Sequence, residues 1–120
     1  MSNYMKRIVY STNLNFTHMI NDRPELVDKS CAIPHSHTSR LKITVPISDD
    51  EFLDFKKVKK ATETVMDRLR GKNITEEFGI GQTEEFVVWV AKEIEKNLKR
   101  KVDVFIQETE KYGMEYVSNQ

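Results

Sequence analysis

The sequence has few of the features that mark secreted or membrane proteins. It contains one cysteine, Cys31, in 120 residues, so an intramolecular disulfide is impossible and a reducing compartment is expected. No apolar run is long enough for a signal peptide or a membrane span. These absences exclude a disulfide scaffold and a membrane-spanning protein, and they predict a cytoplasmic location.

An excess of charge of one sign is also lacking. The 19 lysines and arginines balance the 19 aspartates and glutamates, which gives a formal net charge of zero. Without a long-range field, neither nucleic acid nor a membrane is an expected partner. The length is that of one ordinary domain, 1–120, and no internal repeat or low-complexity segment is present.

Two segments in the first half of the chain alternate between bulky and polar residues. Between Arg7 and His18 the even positions carry most of the bulk, and between Arg40 and Ile47 the odd positions do. This period of two is typical of strands with one buried face. Residues 19–34 contain two prolines and no periodicity, which indicates an irregular connection.

Two helices are predicted in the second half. Residues 48–51 offer N-cap candidates, and an apolar stripe at helical spacing follows until Gly71: Phe52, Phe55, Val58, Thr62, Val65 or Met66, and Leu69. After a loop over 72–81, Thr83 is expected to cap a second helix with another stripe: Phe86, Trp89, Val90, Ile94 and Leu98.

Strand patterns over 102–109 and 113–117 complete the order ββααββ. At this length the order implies an α+β fold, with an antiparallel four-stranded sheet and both helices on one face. The other face is then expected to need a cover, which self-association would supply.

All three histidines fall near the two predicted N-terminal strands. His35 and His37 are two residues apart at the threshold of the second strand, so they share a face, and His18 ends the first strand. If the two strands pair antiparallel, the three imidazoles converge. Three neutral imidazoles with an open fourth position are a usual site for catalytic zinc, although two histidines at this spacing also occur on surfaces by chance.

Cys31, four residues before His35, has three interpretations that the spacing leaves open. It is a buried small apolar residue, a fourth thiolate ligand that closes a structural zinc site, or a base or nucleophile beside an open metal position. Glu108 and Asp67 are carboxylates of a kind that is ordinarily solvated. Glu108 gains interest if it faces the same cavity, because a carboxylate accepts two parallel N–H bonds from a heterocycle edge.

Together these residues resemble the 6-pyruvoyl- and 6-carboxytetrahydropterin synthase family. The specific part is Cys-x3-His-x-His followed by Glu-Thr near the C-terminus. The matches run in the family's order over nearly the whole chain: Phe16-Thr17-His18, Cys31 with His35-Ser36-His37, Asp54-Phe55, Asp67, Thr83-Glu84-Glu85, Glu108-Thr109 and Tyr116.

The resemblance implies the tunnelling fold, in which ββααββ subunits join their sheets into a barrel with active sites between subunits. It implies a homo-oligomer, a hexamer built from trimers, and a pterin triphosphate substrate. It also implies a role for each matching residue: zinc ligands His18, His35 and His37, catalytic residues Cys31 and Asp67, and substrate-binding residues Glu108 and Thr83.

The reaction implied first is conversion of 7,8-dihydroneopterin triphosphate to 6-carboxy-5,6,7,8-tetrahydropterin, on the route to deazaguanines such as queuosine. Formation of 6-pyruvoyltetrahydropterin is the close alternative. A non-catalytic homologue that binds zinc and a pterin or purine is the alternative from another class.

Three departures from the family pattern bear on this choice. Arg68 replaces the histidine of the family's Asp-His pair, Ser36 replaces the middle glycine of His-Gly-His, and Gln82 replaces the proline before Thr83. With all histidines committed to zinc, no imidazole remains as a general base. Either Arg68 points at Cys31 and favours its thiolate, or the proton relay is broken.

Overall fold

Four strands and three helices form the part of the chain that the computed structural model describes, residues 6–19 and 35–118. The elements in chain order are β1 (Lys6–His18), β2 (His35–Ile47), α1 (Phe55–Leu69), α2 (Ile74–Phe78), α3 (Thr83–Leu98), β3 (Asp103–Gln107) and β4 (Gly113–Tyr116). No helix among them has the length and apolar character to cross a membrane.

The strands form one antiparallel sheet in the order β1-β2-β3-β4. The predicted α+β class is therefore confirmed. Residues of alternating positions in each strand pack under the helices, as the period of two predicted. The core includes Leu14, Leu41 and Ile43 from the sheet together with Val65 and Ile94 from the helices.

The open face of the sheet is mostly polar in the described strands, with Val9 and the partly buried Phe105 as apolar members. It carries exposed polar side chains from the two long strands, among them Ser11, Asn13, Asn15, Thr38, Arg40 and Lys42. Such a face is solvated without a partner, because antiparallel sheets tolerate water on one side. The argument from buried apolar area therefore does not require oligomerisation.

The start of α1 differs from the prediction. Asp54 is the N-cap, and its side chain accepts a hydrogen bond from Lys56 N at 2.9 Å. Phe52 and Phe55 lie before the buried stripe begins and are 89% and 73% exposed. Phe52 precedes the helix and Phe55 is its first residue, so the buried stripe begins only at Val58.

The predicted loop over 72–81 contains the short helix α2. The Asn73 side chain caps it by accepting hydrogen bonds from Thr75 N and Glu76 N, and Gly79 ends it in the left-handed conformation. Five residues are too few to show a helical period, so the sequence pattern missed this element.

The segment 71–73 lies along the outer edge of β1. Gly71 N donates to Asn15 O at 2.8 Å, and Thr17 N donates to Lys72 O at 2.9 Å. These bonds cover the C-terminal half of the edge strand, next to His18, and fix the connection between α1 and α2 against the sheet.

Candidate functional site

The three histidines lie together on the helix-facing side of the sheet. In the register of β1 and β2, His18 is opposite His35 and Phe16 is opposite His37. The prediction placed β2 from Arg40, but it begins at His35, so the strand itself holds both of its histidines. The ring centroids are 4.5, 4.7 and 4.9 Å apart, and one ring nitrogen from each residue lies within 4.8 Å of the others.

His18 is the most buried of the three. It is 4% exposed, and its Nδ1 is 2.8 Å from the carbonyl oxygen of Gly81. Because a carbonyl only accepts, Nδ1 carries the proton and Nε2 keeps the lone pair that a metal needs. The Gly81 carbonyl belongs to the connection between α2 and α3, so the folding of that connection selects the tautomer.

Burial favours the neutral imidazoles that bind metals. Burial lowers the pKa of His18 below its usual value, although the bond to Gly81 opposes the shift. Burial also lowers the pKa of His37, against the opposing charge of Glu108. Both rings are thus biased toward the form with a free lone pair.

The donor set fits a divalent transition-metal ion. Nitrogen ligands at about 2.0–2.1 Å from a tetrahedral zinc lie about 3.4 Å apart, and the separations here are at most 4.8 Å. Phe16 supports the cluster from the same face, with its ring centroid 5.5 Å from His18 and 5.7 Å from His37.

Glu108 and Thr83 form a second polar group near the cluster. Glu108 follows β3 in the turn to β4, and its Oε1 accepts a hydrogen bond from the Thr83 hydroxyl at the start of α3. Thr83 was expected to be the N-cap of α3, but Gln82 occupies that position without a side-chain bond. The Thr83 hydroxyl is free for Glu108 because it is not used as a cap.

The carboxylate of Glu108 lies close enough to influence the histidines electrostatically. Burial lowers the pKa of both His18 and His37, and the negative charge of Glu108 opposes that lowering. Within the described residues, the fold therefore brings together five residues that the sequence singled out: His18, His35, His37, Thr83 and Glu108.

Asp67 and Arg68 contact residues outside this group. Asp67 is exposed and accepts a hydrogen bond from Arg70 at 2.6 Å. Arg68 donates to Glu93 Oε1 at 2.7 Å and lies over the Trp89 ring at 5.1 Å. Cys31 falls outside the described residues, so its three interpretations stay open.

The sequence reasoning missed the Gly81 carbonyl, and it matched Phe16 to the family pattern without giving it a role at the site. The Gly81 carbonyl left no signal, because a backbone acceptor is available at every position. Phe16 left a partial one, since its even position in β1 puts it on the same face as His18.

Comparison with known proteins decides the family. Residues 7–119 match the model of the family described as 6-pyruvoyl tetrahydropterin synthase. The chain belongs to this family. The resemblance seen in the spacing of the histidines, Glu108 and Thr109 is thereby confirmed. A comparison with curated protein sequences gave no significant match.

Solved structures of family members have the same fold. The 6-pyruvoyl tetrahydropterin synthase of Caenorhabditis elegans is 17% identical, with 97% of each chain covered and a TM-score of 0.76. The Plasmodium vivax enzyme is 12% identical at a TM-score of 0.67, and the Plasmodium falciparum enzyme is 13% identical at 0.66. In both cases 95% of this chain and 98% of the other are covered. The expected tunnelling fold is confirmed for the subunit.

Proposed function

We propose that the protein is a zinc-dependent lyase that converts 7,8-dihydroneopterin triphosphate to 6-carboxytetrahydropterin. The observation that carries this proposal is the cluster of three imidazoles beside the Glu108–Thr83 pair. Family membership supports a pterin as the substrate, because the structural relatives are 6-pyruvoyl tetrahydropterin synthases.

His18, His35 and His37 would hold the zinc ion. A zinc ion bound there supplies a positive charge that lowers the pKa of substrate hydroxyls. His18 contributes Nε2, since its Nδ1 is committed to Gly81. No carboxylate completes the ligand set among the described residues, which agrees with an open site.

Glu108 would bind the pterin ring. Its carboxylate can accept two N–H bonds from the edge of a heterocycle that carries neighbouring ring and amino nitrogens. The Thr83 hydroxyl, by donating to Oε1, fixes the carboxylate and leaves Oε2 and the remaining lone pairs for the ligand. In this proposal Glu108 orients the ring so that the side chain of the pterin reaches the histidines.

Proton transfer is assigned to Cys31, with Asp67 in a supporting role. As a thiolate, Cys31 would take a proton from the substrate side chain. Asp67 bonds to Arg70 within its own subunit, so a catalytic role requires that it face a site shared with a neighbouring copy. This proposal therefore includes assembly into a homo-oligomer, namely a hexamer built from trimers.

One edge of the sheet supports assembly. Near the N-terminal half of β1, a surface depression of about 250 Å³ is lined by Val9 and Phe55, which are 56% and 73% exposed. An exposed strand edge with apolar side chains is the kind of surface that a second copy covers. Sedimentation at micromolar concentration tests this, and a stable monomer of 14.1 kDa would contradict it.

Metal analysis and product analysis together test the function. We expect about one zinc per chain, release of acetaldehyde and triphosphate from the substrate, and loss of zinc in His37→Ala. Ser36→Ala is the matched control, because Ser36 lies between His35 and His37 on the opposite face of the strand. Full zinc occupancy in a His35→Ala, His37→Ala variant would overturn the assignment.

Two alternatives have specific support. Formation of 6-pyruvoyltetrahydropterin with triphosphate loss is the activity named for the structural relatives. It would appear as a pyruvoyl product without acetaldehyde. A binding protein without turnover is favoured by the engagement of Arg68 with Glu93 in place of a relay histidine. It would retain zinc and bind the pterin without forming a product.

A further inference from the structure

The two halves of α1 differ in how their charged side chains are paired. In the C-terminal half, Glu63 and Asp67 pair with Arg70, and Arg68 pairs with Glu93. In the N-terminal half, four exposed lysines have no acidic partner among residues 6–19 and 35–118: Lys56, Lys57, Lys59 and Lys60.

The position of these lysines is unfavourable for the helix itself. Cations near a helix N-terminus oppose the macrodipole, and the first turn of α1 contains no acidic residue. Lys56 and Lys60 are four residues apart, and Lys57 and Lys60 are three apart, so like charges face each other along the surface. Of the nearby acids, Asp54 is used as the N-cap. The isolated subunit therefore gains nothing in stability from the four charges.

Two of the four lysines line a groove. The groove has a volume of about 470 Å³ and runs between α1 and the C-terminal end of α3. Lys57 and Lys60 line one side, and Asn97 and Leu98 line the other. The exposed Lys99 and Lys101 follow directly in the sequence and also lack an acidic partner within the described part of the chain.

We propose that this groove binds inorganic polyphosphate, a linear and phosphate-rich polyanion. The cations are lysines, which act as point charges and attract phosphates without reading bases. The groove lining offers no aromatic ring for stacking. A concave groove between two helices suits a chain of phosphates better than it suits the plane of a bilayer. The zero net charge gave no indication of this site because it averages over the whole surface.

The test measures binding of two probes to the full-length protein at increasing salt. The probes are inorganic polyphosphate and a mixed-sequence single-stranded oligonucleotide, and their comparison distinguishes the two sources of phosphate. For wild type we expect binding of polyphosphate that weakens steeply with salt, because phosphate contacts release counterions.

The decisive variant is Lys57→Gln, Lys60→Gln, which removes the two cations that line the groove. We expect binding to weaken by about tenfold at low salt, and the slope of log affinity against log salt to fall by roughly one to two. The melting temperature should stay the same or rise, because like-charge and dipole repulsion are removed. Lys72→Gln, Lys92→Gln has the same net charge, but its lysines pair with Glu77 and Glu95, so its binding should match wild type.

Several results would overturn the proposal. They are failure of wild type to bind polyphosphate at low salt, binding of the oligonucleotide alone, unchanged affinity in the groove variant, or an equal loss in the control variant. Anionic phosphatidylserine vesicles are the third probe in the binding experiment. If the vesicles bind with the same dependence on Lys57 and Lys60 while both soluble probes do not, the partner is a membrane and the proposal is wrong.

Discussion

The guanidinium of Arg68 donates a hydrogen bond to Glu93 Oε1 at 2.7 Å and links α1 to α3. The same group lies over the rings of Trp89 and Phe78, at 5.1 and 5.7 Å from their centroids. In the family pattern this position holds the histidine of an Asp-His pair. Here it holds a residue that is engaged in helix packing.

The first prediction concerns Arg68→His. The variant loses a partly exposed ion pair and the contacts with two aromatic rings, so the free energy of unfolding should fall by about 1 kcal/mol. Turnover should not rise, since side chains at this position are directed toward Glu93 and Trp89. Urea unfolding and a product assay measure the two effects. A rise of a hundredfold or more, typical of restored general-base catalysis, would show that position 68 does reach the reacting groups.

The second prediction concerns Tyr10, whose hydroxyl donates to Glu63 Oε2 at 2.5 Å. Burial, with Glu63 adding to the effect, raises the pKa of Tyr10 to about 12. Because the folded state favours the protonated phenol, this contribution to stability is complete below pH 10 and is lost as the pH rises from 10 toward 12.

Tyrosinate absorbance during alkaline titration measures this pKa. A tyrosinate step near pH 12 is expected for Tyr10, and Tyr10→Phe should remove that step. Tyr112→Phe is the control, since Tyr112 is 72% exposed. The absence of a step near pH 12 in the folded protein would contradict the Tyr10–Glu63 bond.

The third prediction separates the interpretations of Cys31. If its thiolate moves a proton, Cys31→Ala should keep the zinc and the assembly but lose turnover, because the metal ligands are untouched. If it is a fourth ligand, zinc affinity should collapse. If it is a small buried residue, neither should change much. Zinc content, sedimentation and product formation on one preparation distinguish these outcomes.

The fourth prediction concerns Gly113, the first residue of β4. A Cβ at this position would lie 2.4 Å from the Phe105 ring and 2.7 Å from the Ile106 carbonyl oxygen. Gly113→Ala should therefore reduce the free energy of unfolding by about 1–3 kcal/mol. Glu115→Ala, on an exposed position of the same strand, should change it by less than about 0.5 kcal/mol. Equal stability of the two variants would mean that the Phe105 ring moves away freely.

The sequence by itself determined which residues share a face within each of the first two strands. A period of two assigns Phe16 and His18 to one face of β1, and it assigns His35 and His37 to one face of β2. Antiparallel pairing then brings the histidines together, because alternation is a local property of an extended chain. The fold class followed from the order of such local patterns.

Other features were decided only by the tertiary structure. The Gly81 carbonyl reaches His18 across 63 residues, the Thr83 hydroxyl is directed to Glu108 instead of capping its helix, and Arg68 is drawn to Glu93. Local periodicity carries no information about which distant polar group will lie within hydrogen-bond distance. The cause is the packing of α2 and α3 against the sheet, which fixes these distances once the backbone is folded.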